Sequence, residues 1–137
     1  MWQLYALLSA FFAALVAILA KIGIQGVDSN LAVAIRTTVI LFIAWGLVAL
    51  RGGAAGLASL STKSWTFLIL SGIATGLSWL CYFKALAMGP ASKVAPIDKL
   101  SVAITILLAI VLLGEPAEPK VLLGGALIVL GSLVMLI

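Results

Sequence analysis

Residues 93–102, KVAPIDKLSV, place a proline, a carboxylate and an ammonium almost side by side as Pro96, Asp98 and Lys99. More than three turns of mostly Leu, Ile, Val and Ala follow them. Arg36 sits in a similar setting, within LAVAIRTTVILFIAWGLVAL. The chemistry open to such residues is ionic recognition. Arginine and lysine hold oxyanions, and Asp98 neutralises only one of the two cations, so the set is net positive. It would suit an anionic or zwitterionic small molecule, for instance one bearing a carboxylate or a phosphate. The residues for other chemistry are missing. Without histidine there is no His-based metal site or proton relay, and the single cysteine, Cys81, excludes an internal disulfide and a cysteine cluster. No nucleophile–base pair, phosphate-binding loop or metal cluster stands out. No catalytic residue, metal or cofactor is therefore assigned, and an enzyme is not expected.

The solvent these charges meet is set by composition. The 137 residues are 65% hydrophobic and only 9% charged, against about 25% charged in ordinary soluble domains. So little polar surface cannot cover so much apolar surface, which makes lipid the expected surroundings. The net charge of +4 then reads as a set of topology signals at helix ends rather than as a nucleic-acid footprint.

Five apolar segments are predicted, at about 3–21, 30–50, 65–87, 91–113 and 119–137, giving an all-α integral membrane protein with five transmembrane helices in a single domain over 1–137. The first lacks a basic leader and is too long for a signal-peptide core, so it reads as a retained helix. Between segments one and two, Asp28, Ser29 and Asn30 are candidate N-caps. The run GGAAGLASLSTKS reads as a loop, Gly89 and Pro90 as a stop, and GEPAEP as the break before the last helix.

Within this frame the opening charges are costly. A charged residue at the centre of a spanning helix costs about 3 kcal/mol on insertion, while each Leu, Ile or Val contributes about −0.5. The dozen or so such aliphatics of segment four supply roughly −6 kcal/mol, so Asp98 and Lys99 at the centre would cancel most of it. They lie about two turns, roughly 12 Å, from one end of their segment, and Arg36 lies six residues past Asn30. Intramembrane charges usually face a bundle interior or an aqueous cavity. For Arg36 and Lys99 the alternative is snorkelling to the interface. Pro96 cannot donate to the carbonyl of Ser92, so the first turns of segment four are expected to be irregular or kinked. If the helix restarts with Pro96 at its first position, Asp98 becomes the third residue and suits the helix dipole. Trp79 and Tyr82 read either as interfacial belt residues or as an aromatic wall of a substrate path.

One stretch carries a family resemblance. In FKALAMGPASKVAPIDKLSVAITILLAIVLLGEP, the residues Ala85, Leu86, Gly89, Ala91, Ser92, Val94, Ala95 and Pro96, then Leu113, Gly114 and Glu115, resemble the EamA domain of the drug/metabolite transporter superfamily. Arg36 also falls where that family's second helix usually has an arginine. The resemblance covers all five segments. It implies one EamA-like repeat and transport, usually export, of a small metabolite. The substrate-binding candidates come from charge and position within the segments instead: Arg36, Trp79, Tyr82, Asp98 and Lys99. The chain departs from the family in holding one copy of the repeat where typical members hold two, and in having Val102 where many have proline. The expected location is the cytoplasmic (inner) membrane of a bacterium or archaeon. Cationic drug efflux is a rival within transport, although segment one lacks the central carboxylate that mode uses. A non-transporting membrane subunit that assembles with a partner is the rival from another class.

Alternating-access transporters place their site between two inverted repeats, and one five-helix repeat has no inverted mate among these residues. Topology supplies a route to one. Arg51, Lys63 and Lys120 flank one face and Lys21, Lys84 and Lys93 the other, three against three, so the charge bias that orients a chain is nearly nil. Insertion both ways would allow an antiparallel homodimer. Gly124 and Gly131 lie seven apart on one face of the last segment, with Gly125 and Ser132 beside them. Small residues permit close helix approach in lipid, and this spacing resembles the glycine pair at which small multidrug resistance proteins dimerise. These four are the candidate dimer interface. A C-terminal reporter is expected to show both orientations in comparable amounts, and two added lysines in a loop beside Arg51 or Lys120 should shift the population to one of them. A single orientation in the unmodified protein would rule out dual insertion.

Overall fold

A computed structural model describes the backbone of residues 1–137 and every side chain except that of Ala54. It is all-helical. The order is α1 (Trp2–Gly23), α2 (Ser29–Leu50), a 3-10 helix (Gly53–Ser59), α3 (Thr62–Met88), α4 (Ala91–Asp98), α5 (Leu100–Leu108), a π-helical turn (Ala109–Leu113) and α6 (Pro119–Val134). Among the described residues, four stretches are long and apolar enough to cross a membrane: Trp2–Gly23, Ser29–Leu50, Thr62–Met88 and the interrupted Ala91–Leu113. With 16 residues, α6 is about 24 Å long at 1.5 Å per residue, short of a hydrocarbon core of about 30 Å. The chain is an integral membrane protein. Large side chains along α2 such as Ile35, Phe42 and Ile43 are more than half exposed, and such faces need lipid around them.

Local chemistry explains where the helices begin. Asp28 is the N-cap of α2, its carboxylate accepting from the Asn30 N–H at 3.0 Å and the Leu31 N–H at 3.1 Å. The third helix starts three residues earlier than the apolar run suggests. The Ser61 hydroxyl accepts from the Ser64 N–H at 3.1 Å, which satisfies a free donor and lets Thr62 to Ser64 join the helix. The small-residue run expected as a loop is instead wound into the 3-10 helix from Gly53 to Ser59.

The chain forms two compact units, one of Leu19–Ala87 and one of Met1–Ile18 with Met88–Ile137. In the first, the core is Ile24, Val33 and Phe83, with Ala20, Ala32, Trp79 and Tyr82 packed against it. It joins the end of α1, the start of α2 and the last turns of α3. Lys21 ties this end together by donating to the carbonyl of Leu86 at 2.6 Å. A cation is favoured there because the last carbonyls of a helix lack intrahelical donors and carry the negative end of its dipole.

In the second unit α6 packs along α5 and also meets α4. Segment four is interrupted, but the helix does not restart at Pro96. Pro96 lies inside α4, and the interruption falls at Lys99. There the bonding tightens, with the Lys99 N–H reaching the Pro96 carbonyl and the Val102 N–H the Lys99 carbonyl, each at 3.0 Å. Asp98 is therefore the last residue of α4 and not the third residue of a new helix. The Ser132 hydroxyl donates to the Pro96 carbonyl at 2.9 Å, which fixes α6 to the irregular turn. The segment ends at Gly114, whose φ of 69° is a left-handed conformation that glycine adopts without a side-chain penalty. Its N–H and that of Glu115 both turn back to the Ala109 carbonyl.

Close packing of α6 on α5 runs through Gly125, which is buried. A methyl group there would stand 3.0 Å from Ile106 Cδ1. Gly125→Ala should be mild, since the tip of Ile106 can swing aside, whereas Gly125→Leu should lower stability by about 1–3 kcal/mol through overpacking. Ile106→Ala should recover part of that loss. Thermal unfolding in detergent checks the series; a loss in Gly125→Leu that Ile106→Ala leaves unrelieved would contradict this packing.

Candidate functional site

The Leu19–Ala87 unit holds the more complete site. Arg36 extends from α2 three residues beyond Val33, so the two share a helix face, and Val33 belongs to the core described above. On α3, Trp79 and Phe83 are four residues apart and also share a face. The Arg36 guanidinium carbon lies over both rings, 4.1 Å from the Trp79 centroid and 5.3 Å from that of Phe83. The Tyr82 ring meets that of Phe83 edge-on at 6.3 Å. A guanidinium over aromatic faces gains about 0.5–2 kcal/mol, more where water is excluded. That attraction holds a cation in an apolar setting without supplying a counter-charge. The sole carboxylate between residues 19 and 87 is Asp28, which caps α2 about 12 Å of helix away. Among the described residues, no carboxylate forms an ion pair with Arg36.

Two expectations meet in this arrangement. Trp79 and Tyr82 are packed against the core and partly buried rather than left wholly to the lipid interface. The Arg36 head group rests on α3 side chains of its own unit. Phe83 was not anticipated as a partner, although its spacing of four from Trp79 is the signal that both rings share one face.

The other unit carries Asp98 and Lys99. Their side chains pair with each other, Lys99 Nζ lying 3.4 Å from Asp98 Oδ2, and they are 37% and 54% exposed. A pair this open contributes at most about 1 kcal/mol where water reaches it. It leaves Lys99 with further donors and Asp98 with a second oxygen. The helical turn presenting the pair is held by the bond from Ser132 to the Pro96 carbonyl, a contact across 36 positions that no local pattern announces.

The four small residues of the last helix divide into two pairs. Gly125 and Ser132 are buried against α5 and α4, so contacts within the chain already occupy them. A side chain built at Gly124 or Gly131 would meet nothing within 4 Å. That second pair is the stripe left open in this chain.

Comparison with known proteins agrees with the motif in segment four. The model of the EamA-like transporter family matches residues 1–137. A Sinorhizobium sp. protein named "Uncharacterized transporter in cobO 3'region" is 45% identical over 134 residues, covering 98% of this chain and 95% of its own length. No solved structure matches. A family match spanning every helix, joined by a relative of this identity over nearly the full length of both proteins, shows that the chain belongs to the EamA-like transporter family.

Proposed function

We propose that this chain is a small-metabolite transporter, an exporter, that works by alternating access as an antiparallel homodimer and carries an anionic or zwitterionic substrate. The observation that carries the charge assignment is Arg36, held on Trp79 and Phe83 with no carboxylate against it among the described residues. A buried or half-buried cation is expensive unless something compensates it. An anionic cargo would supply that compensation for part of each transport cycle. Arg36, Trp79 and Tyr82 are the binding group proposed for this unit. Asp98 and Lys99 are proposed to bind substrate as well. As a half-open ion pair they offer an ammonium to an anion and a carboxylate to an amine, which suits a zwitterion.

The family match and the transporter-named relative support transport itself. The five-span arrangement is part of this reading. It takes α6, together with the apolar residues that follow it, as the fifth crossing, and tilt or local thinning of the bilayer accommodates its short length. An odd number of crossings with balanced flanking charge then gives the inverted pair that alternating access needs. Gly124 and Gly131 are the proposed meeting point of two last helices, with Gly125 and Ser132 bordering that contact from the side already packed within the chain.

Flux from proteoliposomes tests this. Vesicles containing the purified chain and loaded with a mixture of organic acids, amino acids and amines should release acids or zwitterions faster than protein-free vesicles, as read by mass spectrometry. Lys99→Ala should lower that release by about tenfold or more, the loss of one charge-assisted contact, with unchanged thermal unfolding. Lys99→Arg should retain part of it, because fork and ammonium bind anions differently. Release of amines alone would favour cationic efflux. No release above background would favour the assembling subunit, and a normal rate in Lys99→Ala would remove Lys99 from the site.

A further inference from the structure

The far end of segment four, away from Asp98 and Lys99, borders a cleft that none of the roles above uses. It lies within the unit containing Met88–Ile137, between the end of α5 and the start of α6, and measures about 390 Å³. That is a size for a small ligand. Its walls are apolar and come from both sides, Ile106, Ala109 and Ile110 from segment four and Val121 from α6. Two carboxylates line it as well, Glu115 and Glu118. The backbone explains why Glu115 stays there. The π-helical turn lets the N–H groups of Gly114 and Glu115 both return to the Ala109 carbonyl, the second at 3.2 Å. The chain thus folds back over the end of α5 instead of leading away from it, and turns of this kind recur at functional sites. Glu118 is set by α6, whose N-cap residue it is.

Neither carboxylate has an ion pair or a side-chain hydrogen bond among the described residues. No basic side chain lines the cleft, and Lys120, two positions beyond Glu118, is exposed and not one of its walls. A third polar group there is also uncommitted. Thr37, Thr38, Thr66 and Thr75 each donate to the carbonyl four residues earlier, at 2.7 to 3.0 Å. Thr105 lines the cleft and makes no such bond among the described residues.

We infer that this cleft binds a cationic amphiphile: an ammonium carried on a short apolar chain. The ammonium is held by Glu115 and Glu118, and the chain lies against Ile106, Ile110 and Val121. The site is separate from Arg36, Asp98 and Lys99 and does not rest on their part in transport. Charge and wall each select the ligand. Two carboxylates without a counter-cation attract a cation and repel an anion. A bare cation or methylammonium leaves the apolar wall uncovered, and each methylene laid against it gains about two- to fourfold in affinity. The Thr105 hydroxyl can accept a further N–H of the ammonium. A free alkylamine and a lipid with an ammonium head group share this chemistry.

Thermal unfolding of the purified chain in an uncharged detergent, at constant ionic strength, tests the proposal. Hexylammonium should raise the unfolding temperature saturably. Its half-maximal concentration should be at least about tenfold below that of methylammonium, and hexanol and hexanoate should act at least about tenfold more weakly. Changing both Glu115→Gln and Glu118→Gln should remove the advantage of hexylammonium over hexanol. Ala109→Leu, which fills part of the apolar space, should weaken hexylammonium by about threefold or more and leave methylammonium unchanged. Partition into the micelle is the same for every variant, so these comparisons isolate the cleft. Ala109→Leu tests it alone if the double glutamine variant does not fold. Mixed micelles identify the source. A rise given by phosphatidylethanolamine, absent with phosphatidylglycerol and lost in the double variant assigns the lipid, and a rise with hexylammonium alone assigns a free amine. Methylammonium acting as strongly as hexylammonium, a hexylammonium response unchanged in these variants, or no saturable response would overturn the proposal.

Discussion

A chain surrounded by hydrocarbon must satisfy its polar groups from within, because no water is present to do so. Most of the features described here follow from that constraint. The cap of α2 is closed by Asp28. The carbonyl ends of α3 receive Lys21 through Leu86. The irregular turn at Pro96 receives the hydroxyl of Ser132. Asp98 and Lys99 take each other. Arg36 is the exception, since what it receives is attraction from ring faces and not an opposite charge. A group that structure alone leaves with unused donors is where a ligand gains most, because the ligand completes a set that is already oriented.

The same constraint gives segment four its form. A proline within a spanning helix leaves the carbonyl one turn earlier without its usual donor. Here the backbone tightens around Lys99 and α6 approaches closely enough for Ser132 to bond the Pro96 carbonyl. That approach depends on Gly125, where a side chain would press on Ile106. The family motif in this segment thus has physical content: the Pro96 carbonyl receives Ser132 of α6 just before the break at Lys99, and Gly114 ends the segment in a conformation that only glycine adopts freely.

Much of the helical framework could be read from the sequence, because a run of about 20 apolar residues is a signal that lipid thickness imposes. Asp28 was legible as a cap, and the cost of Arg36, Asp98 and Lys99 in lipid marked them before any coordinates did. What could not be read was facing. In a soluble helix the buried stripe is apolar and the rest polar, so periodicity reveals the packed side. In a membrane helix both sides are apolar, and that information is erased. Gly124 and Gly125 show the result. They are adjacent and alike in sequence, yet one meets open space and the other meets Ile106. Trp79 and Phe83 beneath Arg36 were hidden for the same reason. The start of α3 and the break at Lys99 moved by a turn or less because a serine hydroxyl in one case and a 3-10 tightening in the other decided the last few residues.

The central claim is that a cation held by aromatic rings determines what this transporter carries. The most direct measurement compares small-molecule contents in three strains: one lacking the gene, one overproducing the protein and one overproducing Arg36→Met. One or a few anionic or zwitterionic metabolites should accumulate inside cells lacking the protein and fall, with a matching rise in the medium, in cells overproducing it. Arg36→Met at equal abundance should restore the pattern of the deletion. Accumulation of amines or other cations in place of anions or zwitterions, or full export by Arg36→Met, would contradict this claim.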